Sequence, residues 1–503
     1  MSRIPELWSK EELRNLVTHK KGKKPKKFYD KENGGRIPYL DIKAIESNTF
    51  RQYADKESSK TASKNDVLVV WDGARSGLCA TGHEGAIGST ILALTPFGLN
   101  PRYLNYFILS QFDYINSNPR GTGIPHVDPN LFWYIQVPVA PINEQNRIAA
   151  KTEKLLAKVD QCQARLEKIP GILKRLRTAI IAGACAGILT SEWREVNPSV
   201  QDAAHVLEDN NKTRTQKYQK ACREAEQAGK PKPREYRTNH EPIDDSEYQW
   251  LPETWKLERL CNIAQICGGV TKGRKLKNRT TITLPYLRVA NVQDGYLDLS
   301  EIKHIEALPE DLAKYGLKKG DVLFTEGGDR DKLGRGTVWN DEIEDCIHQN
   351  HVFRARLYSS SILPEYVSLA TKSEQSRNFF FKNASQTVNL ASINMTSLGN
   401  LPIPIPPYEE QKEILKRVNK LYEIADQLEN RYNKAEAQIN NLTQSILAKA
   451  FRGELVPQDP NEEPASELLE RIQAEKADCE NKGSKKASNQ KQRKVQKTAA
   501  SVK

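Results

Sequence analysis

The sequence predicts an α+β protein: two mixed α/β domains separated by two long antiparallel helices that form a coiled coil, arranged as a pseudo-two-fold internal repeat. Three observations carry that expectation. Residues 144–189 recur without a gap as residues 410–455, a shift of 266 positions. Each copy is entered through a proline-rich strap, Val137-Pro138-Val139-Ala140-Pro141 in the first and Leu401-Pro402-Ile403-Pro404-Ile405-Pro406-Pro407 in the second. The opening phrase Ile4-Pro5-Glu6-Leu7-Trp8 returns 247 positions later as Leu251-Pro252-Glu253-Thr254-Trp255.

The helices follow from apolar spacing. In the first copy Ile148, Leu155, Val159, Cys162, Leu166, Ile169, Leu173, Leu176 and Ile180 are one interval of seven apart and then alternate steps of four and three. The second copy keeps the stripe at Ile414, Leu421, Ala425, Leu428, Tyr432, Ala435, Ile439, Leu442 and Ile446. An apolar residue every 3.5 positions or so is the a/d seam of a coiled coil, and two seams of equal length are natural partners. Pro170 lies inside the first helix only, where a bend or break is expected because proline lacks the amide hydrogen and crowds the preceding turn. Gly187 and Gly453 close the two helices, glycine being the residue that most cheaply takes a left-handed conformation past a helix end.

Taken in order, the chain divides into residues 1–140, a globular domain; 141–190, the first long helix; 191–245, a charged linker; 246–406, the second domain; 407–456, the second helix; and 457–503, a polar basic tail. Within the domains, residues 37–42 match 284–289, 66–70 match 321–325, and 101–104 match 364–367, with the shift growing along the chain. A fixed apolar frame carrying loops of changing length produces that drift. Residues 66–70 and 87–94 read as strands, residues 8–17 and 101–111 as helices. The straps read as stiff extended exits, since proline blocks helix and fixes φ. The linker reads as a polar tether with a solvated helix over 213–228. In the tail a short helix over 464–475 precedes a run whose only charges beyond Glu480 are basic, starting at Lys482.

The 503 residues carry 76 Lys and Arg against 64 Asp and Glu, a formal charge of +12 that favours a polyanionic partner. Eight cysteines without a C-x-x-C pair suggest neither a zinc ribbon nor a disulfide framework and fit a reducing cytoplasm. The longest apolar run, residues 179–189, is too short for a membrane helix, and no signal-peptide core opens the chain. No phosphate loop of the G-x-x-x-x-G-K-[ST] form is present, nor a strand followed by G-x-G-x-x-G. Neither Asn118-Pro119 nor Asn197-Pro198 continues into the N-P-P-aromatic tetrapeptide of DNA amino-methyltransferases. The expectation is a chain without a catalytic site, metal or cofactor.

Basic and amide residues recur at matching places instead. Lys20, Lys21, Lys23, Lys24, Lys26 and Lys27 precede the Pro-Tyr strand of the first domain, and Lys272, Arg274, Lys275, Lys277 and Arg279 precede that of the second. Such clusters attract phosphates by counterion release, without sequence information. Residues able to reach base edges follow the Asp-Val-Leu strands: Arg75, Arg120 and His126 in the first domain, and Arg330, Lys332, Arg335, Gln349, Asn350, His351, Gln386 and Asn389 in the second.

With those features in place the chain resembles the specificity subunits of Type I restriction-modification systems. The resemblance rests on the Pro-Glu-x-Trp openings, on Lys318-Lys319-Gly320-Asp321-Val322-Leu323 and its partner Lys64-Asn65-Asp66-Val67-Leu68, on the straps leading to Glu144-Gln145 and Glu410-Gln411, and on the ending Phe451-Arg452-Gly453-Glu454-Leu455-Val456-Pro457. The first ending, Gly187-Ile188-Leu189-Thr190, departs from that form. The resemblance implies two target-recognition domains, each reading one half of an asymmetric bipartite site in double-stranded DNA, with the paired helices as spacer. It also implies that adenine methylation and cleavage belong to separate modification (methyltransferase) and restriction (ATP-dependent translocase and nuclease) subunits. The alternatives are a methyltransferase or nuclease with unrecognised catalytic motifs, and a coiled-coil scaffold that touches no DNA.

Overall fold

The computed structural model describes residues 4–121, 123–274, 276, 279–328, 333–386 and 391–478. The chain forms two compact units, residues 1–167 with 432–503, and residues 168–431. Each holds one globular domain together with lengths of the long helices.

In the first unit the central strand is Val67–Val70, every residue of it buried. Val67 and Val69 enter a core with Leu13, Leu16, Leu94 and Phe107, while Leu68 and Val70 enter another with Leu40, Ile45 and Ile87. Burial on both faces is why this segment reads as an unbroken apolar run. Its antiparallel sheet runs in the order Val17–Lys21, Ile91–Pro96, Val67–Val70, Cys79–Thr81. A second sheet runs Tyr53–Asp55, Arg36–Leu40, Gly85–Ile87, Thr61–Ala62, with Tyr39 and Leu40 parallel to Ala86 and Ile87.

The second unit repeats this plan. One sheet runs Ala264–Cys267, Val352–Leu357, Val322–Thr325, Gly336–Val338, and another runs Lys303–Ala307, Ile282–Leu287, Ile347–His348. Tyr286 and Leu287 pair in parallel with Ile347 and His348, as Tyr39 and Leu40 do with their partners. The aspartate opening each central strand closes the turn before it: Asp66 Oδ2 accepts from Ser63 N at 2.8 Å and Asp321 Oδ2 from Lys318 N at 2.7 Å. Such a local side-chain bond explains the Asp-Val-Leu phrase.

Each strap is a strand rather than only an exit. Gln136–Val139 pairs antiparallel with Ser9–Glu12, and Pro402–Ile405 with Lys256–Arg259. The opening segment is therefore not the helix expected over 8–17. It is a strand, one turn of helix at Leu13–Leu16 and a second strand, because pairing with the strap and burial of Leu13 and Leu16 override local helical spacing. The strand expected over 87–94 is two, Gly85–Ile87 and Ile91–Pro96, divided at Gly88. The helix expected over 101–111 is present as Pro101–Ser110, capped by the Asn100 side chain.

Where each long helix starts, the two units build the same buried joint. Trp8 Nε1 donates to Glu144 Oε2 at 2.9 Å, and Trp255 Nε1 to Glu410 Oε2 at 2.9 Å. The next residue ties the strap and the following helix: Gln145 Nε2 donates to Ala140 O at 2.8 Å while its Oε1 accepts from Asn100 N at 3.0 Å. Gln411 does the same to Pro406 O and from Leu363 N. At the far end of each motif Gly187 and Gly453 have φ of 70° and 76°, and a β-carbon on either would strike a proline of an opening phrase, Pro252 or Pro5 respectively.

Tyr408–Phe451 is one uninterrupted 44-residue helix. The first copy breaks as expected, into Ile142–Leu166 and Ile169–Cys185, with Pro170 in the first turn of the second piece. The seam is thinner than the sequence pattern. Val159, Leu173, Ala425 and Ile446 are buried, and Leu155, Leu166, Leu176, Leu421, Tyr432 and Ile439 are half-buried. Cys162 is exposed, and Leu428 and Leu442 are 42% and 44% exposed, so these three are not seam residues of the chain by itself. A straight helix of 3.6 residues per turn drifts away from a 3.5-residue pattern. The residues buried in their place include Val418, Leu447 and Ala450.

Residues 191–245 are more than a tether: the helix expected over 213–228 is present but starts ten residues earlier and packs on the second unit. Ala203–Gln227 is a 25-residue helix, capped by Asp202, that buries Ala203 and Val206 in the core of the second unit and sets Asn210 Nδ2 on Asn262 O at 2.9 Å. Its apolar face, Ala203, Val206 and Leu207, is short, which is why composition alone reads as solvated. The first unit has a counterpart in the tail. Residues 465–478 are helical, longer than the expected 464–475, and bury Ala465, Leu468, Leu469 and Ile472. Ala203 N donates to Thr254 O and Ala465 N to Leu7 O, both at 2.9 Å. The basic run from Lys482 lies outside the described residues.

Two predictions follow from burial. Glu410 receives, besides Trp255, the Thr190 hydroxyl at 2.6 Å and the Arg194 guanidinium, whereas Glu144 Oε1 is buried with no partner among the described residues. Burial therefore raises the Glu144 carboxyl above its ordinary 4.5, against the Trp8 bond and Arg147. A raised value in the folded state stabilises fully below the unfolded value and is lost as pH rises through the folded one. Glu144→Gln should thus flatten the fall in stability that sets in as pH rises above the ordinary carboxylate value of 4.5. Glu410→Gln should cost about 1.5–3 kcal/mol by weakening a charged hydrogen bond. Thermal unfolding of the full chain against pH checks both. On the long helices, Leu173→Asp at a buried position should cost about 3 kcal/mol or more, and Leu442→Asp at an exposed one about 0.5 kcal/mol or less, measured by helix content in urea.

Candidate nucleic-acid interface

The end of each central strand places a carboxylate and a histidine together. In the first unit Val67–Val70 runs on through Trp71 to Asp72, whose Oδ1 lies 2.8 Å from His126 Nδ1 and whose Oδ2 lies 2.8 Å from Lys21 Nζ. Lys21 is on Val17–Lys21 in the same sheet, and its ammonium sits 5.5 Å from the centre of the Trp71 ring. His126 arrives on a hairpin whose base is fixed by Val127 N to Trp71 O at 2.9 Å and Gly73 N to Pro125 O at 2.8 Å. Arg120 pairs with His126 through the backbone. Lys21, Arg120 and His126 are all exposed.

The second unit reaches the same arrangement with other residues. Glu326, directly after Val322–Thr325, holds His351 Nδ1, and its backbone N–H donates to His351 O while its carbonyl accepts from Ile393 N. Glu326 leads into a small sheet of Gly327–Gly328, Ala391–Ser392 and Ser385–Gln386, while His351 comes from the turn before Val352–Leu357. Arg335 flanks the end of the strand through its backbone, its carbonyl accepting from Thr325 N at 2.9 Å, while its Nη1 donates to Gln293 Oε1 at 2.8 Å. Gln349 and Asn350 are half-buried in the turn leading to His351, with Gln349 N donating to Leu287 O and Asn350 N to Val270 O. Arg330, Lys332, Asn389, Lys275 and Lys277 lie outside the described residues, as does the side chain of Gln386.

The basic clusters divide on inspection. Lys23, Lys24, Lys26 and Lys27 are exposed in the loop after Val17–Lys21, with no ion pair among the described residues, while Lys20 Nζ donates to Thr61 O at 2.6 Å. Lys272 is exposed as well. Arg274 and Arg279 are committed elsewhere, to Asp311 and Glu310 at the start of the helix Pro309–Tyr315. Asp311 also accepts from Leu308 N at 2.8 Å, so Arg274 neutralises a buried helix-capping carboxylate. Arg75 pairs with Glu46 at 2.9 Å, an exposed contact that leaves it free to exchange partners. Sequence reasoning missed Asp72 and Glu326. The signal available was position: each is the first or second residue after the apolar strand run.

The descriptive match is to the family "Type I restriction modification DNA specificity domain", which fits residues 5–170 and again residues 252–437. The chain is 30% identical over 476 residues to the Type I restriction enzyme EcoKI specificity subunit of Escherichia coli K12, across 91% of this chain and 89% of that one. It is 31% identical over 477 residues to the Type I restriction enzyme StySPI specificity subunit of Salmonella potsdam, with the same coverages of 91% and 89%. A solved structure from work on complex assembly and conformational transition of the type I R-M system aligns at TM-score 0.53 and 19% identity over 90% of this chain and 99% of that one, a likeness of fold alone. Among the described residues no helix is long and apolar enough to cross a membrane, and no group of three or more His, Cys, Asp or Glu could hold a metal ion.

The Arg274 pair gives a test that separates structure from phosphate contact. Arg274 holds the Asp311 carboxyl below its ordinary 3.8. A depressed value stabilises above the unfolded value and is lost as pH falls through the folded one. Arg274→Ala should cost about 3 kcal/mol near neutral pH by stranding a buried charge, and this loss should shrink in acid. Unchanged stability at neutral pH would mean that the pair does not form and the guanidinium is available to DNA.

Proposed function

The chain belongs to the family of type I restriction-modification DNA specificity domains, and we propose that it is the DNA-recognition subunit of a type I restriction-modification complex. Each unit reads one half of an asymmetric, bipartite target in double-stranded DNA. Modification subunits methylate adenine and restriction subunits, ATP-dependent translocases with nuclease activity, cleave. The chain is itself non-catalytic, requires no cofactor and works in the cytoplasm. Its long helices pair as an antiparallel coiled coil, relate the two copies by a pseudo-two-fold and serve as the spacer between half-sites.

The observation that carries this reading is the double match combined with the contents of the two sites. One frame occurs twice, and at the same strand end it presents Asp72, His126, Lys21 and Arg120 in one unit but Glu326, His351 and Arg335 in the other. Equal scaffolds with unequal polar side chains suit two different base sequences, since base edges are told apart by donor and acceptor pattern. The exposed lysines 23, 24, 26 and 27 suit the phosphate backbone, which fixes register without reading sequence.

Two measurements test it. Replacing residues 1–140 by those of a relative should change one half of the methylated motif in cells that also express the modification subunit; a change in both halves would contradict independent reading. In binding isotherms of the assembled complex, changing Lys23, Lys24, Lys26 and Lys27 to Gln should weaken cognate and scrambled duplexes alike. It should also flatten the slope of log K on log salt by roughly 0.9 per lost phosphate contact. An unaltered slope would make this loop a solvated face.

A further inference from the structure

The hairpin of the first unit carries an exposed aliphatic residue, Ile124, that neither the sequence pattern nor the carboxylate–histidine pair explains. Its arms are closed by two backbone bonds, Arg120 N to His126 O at 2.9 Å and His126 N to Arg120 O at 3.3 Å. Beyond that closure Ile124 is 66% exposed, beside exposed Gly123 and half-buried Pro125. Val127 N donates to Trp71 O and Gly73 N to Pro125 O, so the arm that follows Ile124 is tied to the segment just after the central strand. On either side stand Arg120 and His126, with Lys21 joined to His126 through Asp72. A branched aliphatic side chain offered to water between Arg120 and His126 is complementary to an apolar group set among phosphates and polar base edges.

We propose that this hairpin enters the major groove and that Ile124 packs against the C5-methyl group of a thymine in the half-site read by the first unit. The inference rests on the DNA-recognition reading above. The major groove admits a two-stranded ribbon, whereas the minor groove is about half as wide and shows no methyl. Thymine's methyl is the apolar feature that the four unmodified bases present there, so an aliphatic tip has one base-edge partner. Arg120 and His126 then meet the flanking phosphates or an acceptor edge. Ile124 thereby adds discrimination at one base position and leaves the electrostatic part of binding untouched.

The test uses the full chain assembled with its modification subunit and a duplex carrying the methylation target mapped in cells. Each thymine of the first unit's half-site is replaced in turn by uracil, which deletes only the methyl group. One replacement should weaken wild-type binding about fourfold, the worth of one buried methyl. Ile124→Ala should bind the thymine duplex less well and lose the thymine-to-uracil difference, Ile124→Val should keep part of it, and the salt slope should stay as in wild type. Because the tip is exposed, these variants keep the fold, which a melting curve verifies. The proposal is overturned if no thymine responds or if Ile124→Ala keeps the wild-type ratio. It is overturned equally if 2-aminopurine fluorescence shows Ile124-dependent unstacking without a thymine-to-uracil difference, which would make the residue a wedge. In all three cases a wild-type preference for cognate over scrambled duplex leaves the recognition reading standing; loss of that preference would remove the reading itself.

Discussion

Each unit depends on a carboxylate removed from water. Glu144 and Glu410 are 1% and 0% exposed, and an isolated buried carboxylate costs several kcal/mol unless donors surround it. Two features meet that cost in both units. The indole of the opening phrase donates to one oxygen, and the residue lies in the first turn of a long helix, where the unpaired amides and the dipole favour negative charge. Since the indole, strap and helix start converge on this joint, the direction in which each helix leaves its own domain is set by buried groups bonded to one another. Tyr103 and Tyr366 reinforce it by donating to strap carbonyls, Pro138 O at 2.6 Å and Pro404 O at 2.8 Å.

The duplicated joint is unequal, and the difference follows from where the two endings of the repeat lie. Glu410 gains Thr190, the last residue of the first ending, Gly187-Ile188-Leu189-Thr190, that departs from the Arg-Gly-Glu-Leu form, and Arg194 from the helix Ser191–Val196 that follows it. At Glu144 the neighbouring arginine, Arg147, is engaged with Glu462 instead. The central strands show a similar substitution of partners. Asp66 accepts from the Thr95 hydroxyl at 2.6 Å, whereas Asp321 takes a two-bond pair with Arg356 at 2.7 and 2.6 Å. The frame tolerates such exchanges, and even the buried Glu144 Oε1 without a partner among the described residues.

Much of the fold was legible because it is written in buried residues. The repeat, the central strands, the break at Pro170 and the glycine stops each depend on a residue type with few conformational options. What was not legible depended on tertiary pairing. The helix expected over 8–17 gave way to a strand since its partner, the strap, is more than a hundred residues away, and the helix Ala203–Gln227 was taken for a tether because only Ala203, Val206 and Asn210 are buried along it. The seam was over-read at Cys162, Leu428 and Leu442, because a heptad pattern in sequence does not say where a second helix actually lies.

The candidate site was less legible for the opposite reason. Its cations can be counted from sequence, but their availability is set by carboxylates far away in the chain: Asp311 removes Arg274, Glu310 engages Arg279, and Asp72 draws Lys21 and His126 together across more than fifty residues each. A lysine run in a loop and an arginine paired with a helix cap are equivalent in composition and differ in what they can give up to a phosphate. The distinction is energetic. Exposed Lys23, Lys24, Lys26 and Lys27 lose only water and counterions on binding, whereas Arg274 would have to abandon a buried carboxylate that then keeps only the Leu308 N–H. The surface that can change partners is therefore the solvated one beyond the strand ends, and the desolvated joint behind it is what holds that surface in a fixed place within its unit.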